Sequence, residues 1–413
     1  MPLPRSLSAF RYRPFTLLWS GAFVSNIGRW MEAVAVGVLV TETTDQAGWT
    51  GLVAVAAFAP NAFLSPLGGA LADRYHRRLL LLGTMGVQCA LAVVLTLLAL
   101  GGVPSPGAVT LIVFVAGCFG ALGFPAYQAI LPELVPRDDL PGAVALASAQ
   151  WNLGRVIGPA CAGIAIKLGG YSWAFGINAA SYAAVMAVLV ILPLRRQKPV
   201  VTRLWETITD GFRYVRNEPG IRATLVYMLV TVFLAAPFIG LIPAMAIKVF
   251  DAGTGGTAAL VSAQGLGAVV TGVLFGSIQA RLGSRRTLLV SVWLLPPALV
   301  LYALAPSIWP AVVAIFVVGA VYLGALSSFT TIGQLRAPDE MRGRVMSVLM
   351  MILGGLFPLG SLLQGAVGDR IGLRVTVAGA AVLYGGALAW LATQRQSLLA
   401  ALDVTPTHTA ASG

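Results

Sequence analysis

Long apolar stretches, each separated from the next by a short polar segment, run through the chain. A helix needs about 20 residues to cross the roughly 30 Å hydrocarbon core of a bilayer, so each stretch is long enough to span it. The pattern therefore predicts an all-helical integral membrane protein with twelve transmembrane helices. The predicted spans are Phe15–Val40, Trp49–Leu71, Leu79–Leu100, Val109–Leu131, Ala143–Ile166, Trp173–Leu192, Ile221–Ile247, Ala258–Ala280, Thr287–Ala305, Ile308–Leu335, Val345–Ala366 and Val375–Thr393.

The amino-acid composition supports a membrane protein. Hydrophobic residues make up 58% of the chain and charged residues only 10%, whereas a soluble domain is nearer half apolar and about a quarter charged. A cytosolic enzyme, a disordered chain and a coiled coil are therefore excluded. The net charge of +12 would indicate nucleic-acid binding in a soluble protein, but no basic stripe alternates with aromatic residues. We expect a lipid bilayer as partner and no nucleic acid.

The positions of lysine and arginine predict the orientation of the chain. If the amino terminus is cytoplasmic, all but six of the 27 basic residues fall in cytoplasmic segments. The exceptions are Lys167, Lys248, Arg370 and Arg374 on the outside, and Arg29 and Arg155 within predicted spans. Because cytoplasmic loops of membrane proteins are enriched in lysine and arginine, we expect a multi-pass protein of the cytoplasmic (inner) membrane with both termini cytoplasmic.

The longest polar connection separates the sixth span from the seventh and divides the chain into two sets of six. The predicted units are an N-terminal six-helix bundle at 1–193, a cytoplasmic linker at 194–220, a C-terminal six-helix bundle at 221–395 and a cytoplasmic tail at 396–413. Apolar residues recur at helical spacing in the linker, at Leu204, Ile208, Phe212 and Val215. They predict an amphipathic helix on the membrane surface; an ordinary solvated linker is the alternative.

No pattern of catalytic or metal-binding residues is present in the sequence. The three cysteines lie in separate apolar stretches, and the two histidines are His76 and His408. A disulfide, a metal site and a Ser-His-Asp set are therefore not expected. The phosphate-binding pattern G-x-x-x-x-G-K-[ST] is also absent. We expect a protein that is not an enzyme, with no catalytic residue, no metal and no cofactor, which uses a proton gradient rather than ATP as its energy source.

A compact motif lies between the second and third spans. It consists of Gly69, Asp73 and three arginines, Arg74, Arg77 and Arg78. Glycine lets helices pack closely, and the carboxylate can accept hydrogen bonds from a helix N-terminus or pair with arginine. We expect this motif to latch a cytoplasmic gate; the alternative, plain anchoring by positive charge, explains the arginines but not the acid.

The motif resembles the signature of the major facilitator superfamily. It departs from the signature at His76, where glycine is usual. The counterpart in the second half, Ala280–Arg286, lacks the acid, so the predicted latch is asymmetric. The resemblance implies the major facilitator fold, in which two six-helix bundles flank a substrate site.

Small residues and a proline cluster on the fifth predicted span. They are Gly154, Gly158, Pro159 and Gly163. Glycine permits close helix approach and proline removes a backbone donor. The cluster resembles the Gly-Pro motif of drug:proton antiporters in the same superfamily, although glycine faces are common in membrane helices.

Three further stretches resemble the exporter branch that includes the enterobactin exporter and macrolide efflux proteins. They are Ser25–Glu32, Leu131–Leu140 and Asp210–Pro219. The resemblance extends over roughly residues 10–395. It implies export of a small organic molecule, drug-like or siderophore-like, by proton antiport and alternating access. An importer or uniporter of the same fold and a non-transporting membrane receptor are the alternatives. Because one chain supplies both halves, we expect a monomer.

Ionisable side chains at membrane depth are candidates for function, because burying a charge in a bilayer is costly. Glu32 is the acid deepest inside a predicted span, with Arg29 three residues before it and Arg155 on the fifth span. We predict that Glu32 carries the proton and that its distance to one of the arginines changes during transport. A static Glu32–arginine pair and direct binding of a cationic substrate by Glu32 are the alternatives.

Polar and adaptable side chains on the spans that line the centre are candidates for a substrate cavity. For each aromatic residue or methionine, simple helix packing is the alternative. The candidates are Asn26, Tyr127, Gln128, Asn152, Tyr227, Phe233, Gln264, Met346 and Met350.

Overall fold

The computed structural model describes residues 5–192, 194 and 204–402. The predicted linker residues 195–203 and tail residues 403–413 lie outside the described residues. Within the described part every regular element is helical, which confirms the all-helical class. The α-helices are α1 Arg13–Thr44, α2 Ala47–Arg74, α3 Arg77–Leu100, α4 Pro106–Leu134, α5 Leu140–Ile191, α6 Leu204–Asn217, α7 Pro219–Val230, α8 Phe238–Ala244, α9 Gly253–Leu282, α10 Ser284–Ala303, α11 Ile308–Arg336, α12 Asp339–Ile371, α13 Leu373–Gln394 and α14 Gln396–Ala401.

Eleven segments of the described chain are long and apolar enough to cross a membrane. One of them, in α5, is far longer than a single crossing requires, because α5 contains 52 residues. Its backbone leaves the helical region at Gly169 and at Gly170, where φ is 71°. Only glycine adopts this left-handed region readily, so the pair forms a sharp turn between two arms, the first arm (140–168) and the second arm (171–191). The spans are therefore consistent with twelve.

The seventh predicted span is one irregular helix. Two π-helical turns, Thr231–Ala235 and Met245–Val249, interrupt it on either side of α8. Pro237 and Pro243 lie near these turns and cannot donate a backbone hydrogen bond. Such turns occur frequently at functional sites. The second turn contains Lys248, which lies at the end of this helix.

Each half of the chain forms a helical bundle. In the N-terminal half α1 packs against both arms of α5, and α3 packs against α4 and the second arm. In the C-terminal half α11 packs against α9 and α10, and α10 packs against α13. The halves meet where α2 lies along α12 and where the first arm of α5 lies along α9.

The two halves approach each other most closely at one end, which we call the closed end. A Cβ atom added at Gly51 would lie 2.5 Å from the carbonyl oxygen of Ser361, and one at Gly365 would lie 2.5 Å from that of Ala47. These distances are shorter than any ordinary contact, so α2 and α12 touch through their backbones. The closed end contains the α1–α2 connection and the C-terminus of α12.

At the opposite end, which we call the open end, α2 and α9 lack such contacts at the glycines near their C-termini. A Cβ atom added at Gly69 of α2 or at Gly276 of α9 would meet no atom within 4 Å. Close helix packing at Gly69 is therefore a wrong prediction for this conformation. The neighbouring Gly68 provides the close approach instead, since its Cβ would lie 2.6 Å from the carbonyl oxygen of Leu122 on α4.

Helix α6, in the predicted linker, lies against the C-terminal half. Its Asp210 carboxylate accepts a hydrogen bond of 2.8 Å from Arg344 of α12, and Val215 is buried. Phe212 is exposed. One face of α6 thus packs on protein, and contact of the other face with a membrane stays a prediction.

Candidate functional site

Glu32 lies on α1 and faces the second arm of α5. Its carboxylate accepts a hydrogen bond of 2.6 Å from the side-chain amide of Asn178. Gly28, one turn earlier, permits this approach, because a Cβ there would lie 2.7 Å from the Asn178 side-chain oxygen. Among the described residues Glu32 has no ion pair within 4.0 Å, so the alternative of a static Glu32–arginine pair does not match this conformation.

The two arginines at membrane depth lie over tryptophan rings instead. The guanidinium carbon of Arg29 is 5.4 Å from the ring centre of Trp151, and that of Arg155 is 5.3 Å from the ring centre of Trp30. The two tryptophans contact each other edge to face, with ring centres 5.9 Å apart. Arginine and tryptophan thus alternate between α1 and the first arm of α5, an arrangement that stabilises a cation away from bulk water.

The glycines of the helix-five motif make this arrangement possible. A Cβ at Gly154 would lie 3.0 Å from the Cβ of Asn26, and one at Gly158 would lie 2.5 Å from the Cβ of Trp30. Gly163, further along, faces the other half at an ordinary distance of 3.5 Å from Ala258. The first two glycines therefore place α1 and the first arm in direct contact.

Arg155 also connects the two halves. A Cβ at Gly265 of α9 would lie 3.4 Å from the Cγ of Arg155, so Arg155 packs against the C-terminal half. Its buried Nε atom has no hydrogen-bond partner among the described residues. The Nε–H of this guanidinium can therefore donate to a new partner.

The other predicted cavity residues of the N-terminal half occupy different environments. Asn26 is buried against Gly154. Tyr127 is hydrogen-bonded to Gln150 at 3.2 Å, and the amide of Asn152 donates to the Ser148 carbonyl of its own helix. Gln128 is exposed. The structure therefore does not bring these four together as one polar cluster.

In the C-terminal half, two predicted cavity residues are buried without a partner. The Tyr227 hydroxyl and both amide atoms of Gln264 have no hydrogen bond among the described residues. Phe233 contacts α12 through its backbone oxygen, 2.5 Å from a Cβ at Gly360. Met346 is half-buried and Met350 is exposed. Buried polar groups of this kind are uncommon and costly, so Tyr227 and Gln264 are the better candidates of this half.

Sequence reasoning missed the polar groups that only the fold brings together. Asn178 is one, because a single amide in an apolar helix gives no pattern. Another is the pair formed by the hydroxyls of Thr231 and Tyr384, 2.9 Å apart and 153 positions apart in the chain. A third group lies at the closed end, where Lys248 is 3.1 Å from the carboxylate of Asp45.

The predicted gating motif at the open end is only partly engaged. Arg77 donates to the Glu133 carboxylate at 2.6 Å, and Arg78 donates to the carbonyl of Leu192, so both bind their own half. The His76 imidazole accepts from the backbone N–H of Arg78 and caps α3. Asp73 has no hydrogen bond or ion pair in the part of the chain that the structure describes, and Arg74 is exposed.

The two helical bundles form a fold that solved structures of membrane transporters share. The nucleoside transporter NupG superposes with a TM-score of 0.70 at 15% identity, over 95% of this chain and 100% of that one. A POT family transporter in complex with 5-aminolevulinic acid gives 0.74 at 12% identity, over 93% and 96%. The predicted fold class is therefore confirmed.

The chain belongs to the transmembrane secretion effector family, whose model matches residues 5–409. It is 24% identical to macrolide efflux protein A of Streptococcus pyogenes over 376 residues, 87% of this chain and 90% of that protein. It is 29% identical to the enterobactin exporter EntS of Salmonella typhi over 379 residues, 89% and 86%. The resemblance to this exporter branch is confirmed, and the family and its structural neighbours are membrane transporters rather than enzymes.

Proposed function

We propose that this protein exports small organic molecules across the cytoplasmic membrane by proton antiport and alternating access. The observation that carries the proposal is the asymmetry of the two ends. The halves touch through their backbones at Gly51 and Gly365, whereas Gly69 and Gly276 meet no atom of the opposite half. A rocking of one half against the other would exchange these contacts, and this motion is the usual route of alternating access.

Glu32 is the proposed proton carrier. It is the carboxylate at mid-span of α1, and its partner is the neutral amide of Asn178 rather than an arginine. A neutral partner lets the carboxyl group exist with or without its proton, because an amide can donate to the ionised form and accept from the protonated one. Arg29, three residues away, supplies a charge whose distance can favour proton release.

Transport in proteoliposomes under an imposed pH gradient tests this function. Two probes of opposite charge, a lipophilic cationic dye and a catecholate siderophore, should be compared in wild type and in Glu32→Gln. We expect the mutant to lose gradient-driven flux of the transported probe but to keep exchange of that probe across the membrane. The matched control is Glu42→Gln, since Glu42 is an exposed carboxylate on the same helix.

The outcomes separate the parts of the proposal. Equal gradient-driven flux in wild type and Glu32→Gln would remove Glu32 from the proton step. Flux that follows the substrate gradient alone in wild type would make the protein a uniporter. Glu42→Gln should transport as wild type does, because Glu42 accepts a hydrogen bond from Tyr171 of its own half at the closed end.

A further inference from the structure

The signature at the end of α2 recurs at the end of α12. Residues 69–74 read Gly-Ala-Leu-Ala-Asp-Arg, and residues 365–370 read Gly-Ala-Val-Gly-Asp-Arg. Glycine, alanine, aspartate and arginine occupy the same positions in both copies. The two helices lie along each other at the boundary between the halves, but the first copy lies at the open end and the second at the closed end.

The aspartate of the second copy caps the helix that carries the first. The carboxylate of Asp369 accepts a hydrogen bond of 2.7 Å from the backbone N–H of Ala47 and one of 2.8 Å from that of Gly48. These are first-turn amides of α2, which have no acceptor within their own helix. Hydrogen bonds from amides to an ionised carboxylate at a helix N-terminus are among the stronger ones. Asp369 therefore ties the C-terminal half to the N-terminal half.

Small residues on both helices make this cap possible. A Cβ at Gly365 would lie 2.5 Å from the carbonyl oxygen of Ala47, and one at Gly48 would lie 3.1 Å from the Asp369 carboxylate. A larger residue at Gly365 would push α12 away from the amides. The glycine and the aspartate of the repeated motif thus act together, one by permitting approach and the other by bonding.

Lys248 adds a second tie between the halves. Its ammonium lies 3.1 Å from the Asp45 carboxylate and 3.8 Å from that of Asp369, and it also donates to the Asp45 carbonyl. The Asp45 side chain is 85% exposed, so solvent screens this pair and it contributes little alone. The side chain of Asp369 is 22% exposed and that of Lys248 is 25% exposed. The better-shielded contact is therefore the cap made by Asp369.

The first copy of the motif, at the open end, makes no contact of this kind with the other half. Asp73 has no partner among the described residues, and Gly69 faces open space. We propose that Asp369 is the latch residue of the closed end and that its release from the α2 N-terminus accompanies opening of that end. The proposal rests on alternating access, as proposed above, but not on the proton step or on the substrate.

Distances between spin labels at the open end test the latch. Labels at Tyr75 and Ser347, exposed positions near the open-end parts of α2 and α12, should be placed in a chain with the three cysteines replaced. We expect a long distance in wild type and a shift of the population to a shorter distance in Asp369→Asn, because closing this end accompanies opening of the other. Asp73→Asn is the matched control: the same change at the same motif position should not produce that shift.

Hydrogen exchange at the amides of Ala47 and Gly48 gives a second readout. Asp369→Asn should lose protection there, whereas Glu42→Gln should keep it. Unchanged label distances and unchanged protection in Asp369→Asn would overturn the latch. An equal shift in Asp369→Asn and Asp73→Asn would overturn it too, since the effect would not depend on which end is capped. If the label distances shift in Asp369→Asn but the wild type shows no proton-driven flux, the proton step would be contradicted and the latch would be supported.

Discussion

Single glycines decide how closely α1 and the first arm of α5 approach. At Gly158 an added Cβ would lie 2.5 Å from the Cβ of Trp30 and 2.8 Å from the backbone oxygen of Ile27. A flexible side-chain end could move away, but a backbone oxygen and a Cβ atom cannot without shifting the helix. The position of the Arg155–Trp30 contact therefore depends on the absence of one methyl group.

We expect Gly158→Ala to destabilise the protein by about 1–3 kcal/mol, the usual cost of overpacking a tight contact. Thermal unfolding in detergent measures this. The control is Gly163→Ala on the same helix, where the new Cβ would meet Ala258 at an ordinary 3.5 Å. Equal thermal unfolding midpoints for both variants would show that the contact between α1 and the first arm can accommodate an added methyl group.

The contacts of Asp139 lead us to expect that attachment of the amino-terminal segment depends on pH. The hydroxyls of Ser8 and Tyr12 donate to its carboxylate, which holds the pKa of Asp139 below its usual range. A carboxyl group with a lowered pKa stabilises the folded contact above its ordinary pKa, and this stabilisation is lost as pH falls through the lowered value. We therefore expect the 3-10 helix Arg5–Arg11 to detach in acid.

Hydrogen-exchange protection factors of residues 5–12, which correct for the intrinsic pH effect, measure this detachment. Asp139→Asn should show low protection already at neutral pH, without the acid transition. Asp138→Asn, at an exposed neighbour, should behave as wild type does. An acid transition that persists in Asp139→Asn would assign it to another group.

At the residue scale, the sequence could identify charges but not their partners. Glu32, Arg29 and Arg155 are visible because a charge in an apolar stretch is rare. Asn178 and Trp151 are not, because their role depends on which helices touch. Gly69 does not pack closely in this conformation, since the adjacent glycines at 68 and 69 look alike in sequence but face different neighbours in the fold.

Ion pairs between helices differ in what they contribute to the fold. Arg336 at the end of α11 pairs with Glu218 at 2.8 Å, and both side chains are nearly buried, at 8% and 11% exposure. The same guanidinium donates to the carbonyls of Ala401 and Leu402. Arg336 thus joins α11, the start of α7 and the last described turn of the chain.

We expect Arg336→Gln to cost about 3–5 kcal/mol, because it leaves the nearly buried Glu218 carboxylate without an oppositely charged partner. Arg344→Gln is the comparison, since Arg344 pairs with Asp210 at the same 2.8 Å but both side chains are more than a third exposed. That exposed pair should contribute under about 1 kcal/mol. Chemical denaturation in detergent measures both; similar losses would mean that burial does not govern these pairs.

At the element scale, length and hydropathy predict the helices well. The fifth and sixth spans were predicted to end at Ile166 and begin at Trp173, and the structure breaks α5 at Gly169–Gly170 between them. The π-helical turns around α8 were not predicted, because they depend on how the freed carbonyls are satisfied in the packed bundle. Sequence periodicity does not record that detail.

At the scale of the whole molecule, the fold follows from the sequence but the conformation does not. Apolar length, the division into two halves and the motif at Asp73 all persist in every conformation of a transporter. Which end is closed depends on small differences between contacts such as those of Asp369 and Lys248. Those contacts link residues more than 200 positions apart, so no local pattern indicates them.

The orientation of the closed end decides which conformation this is. Most of the 27 basic residues fall in segments that the sequence predicts to be cytoplasmic, and enrichment of lysine and arginine marks the cytoplasmic side. This enrichment predicts that the closed end, with Asp45 and Asp369, is extracellular and that the open end faces the cytoplasm. With the proposed export function and this predicted orientation, the protein would be ready to take up its substrate from inside the cell.

Labelling of single cysteines in intact cells with a membrane-impermeant maleimide tests this orientation. In a chain with the native cysteines replaced, Gln46→Cys at the closed end should react in intact cells. Tyr75→Cys at the open end should react only after permeabilisation, because both positions are exposed and differ only in side. The reverse result would place the closed end in the cytoplasm. The contacts of Asp369 would then hold an outward-open state, and the charge distribution of this chain would be an exception to the general rule.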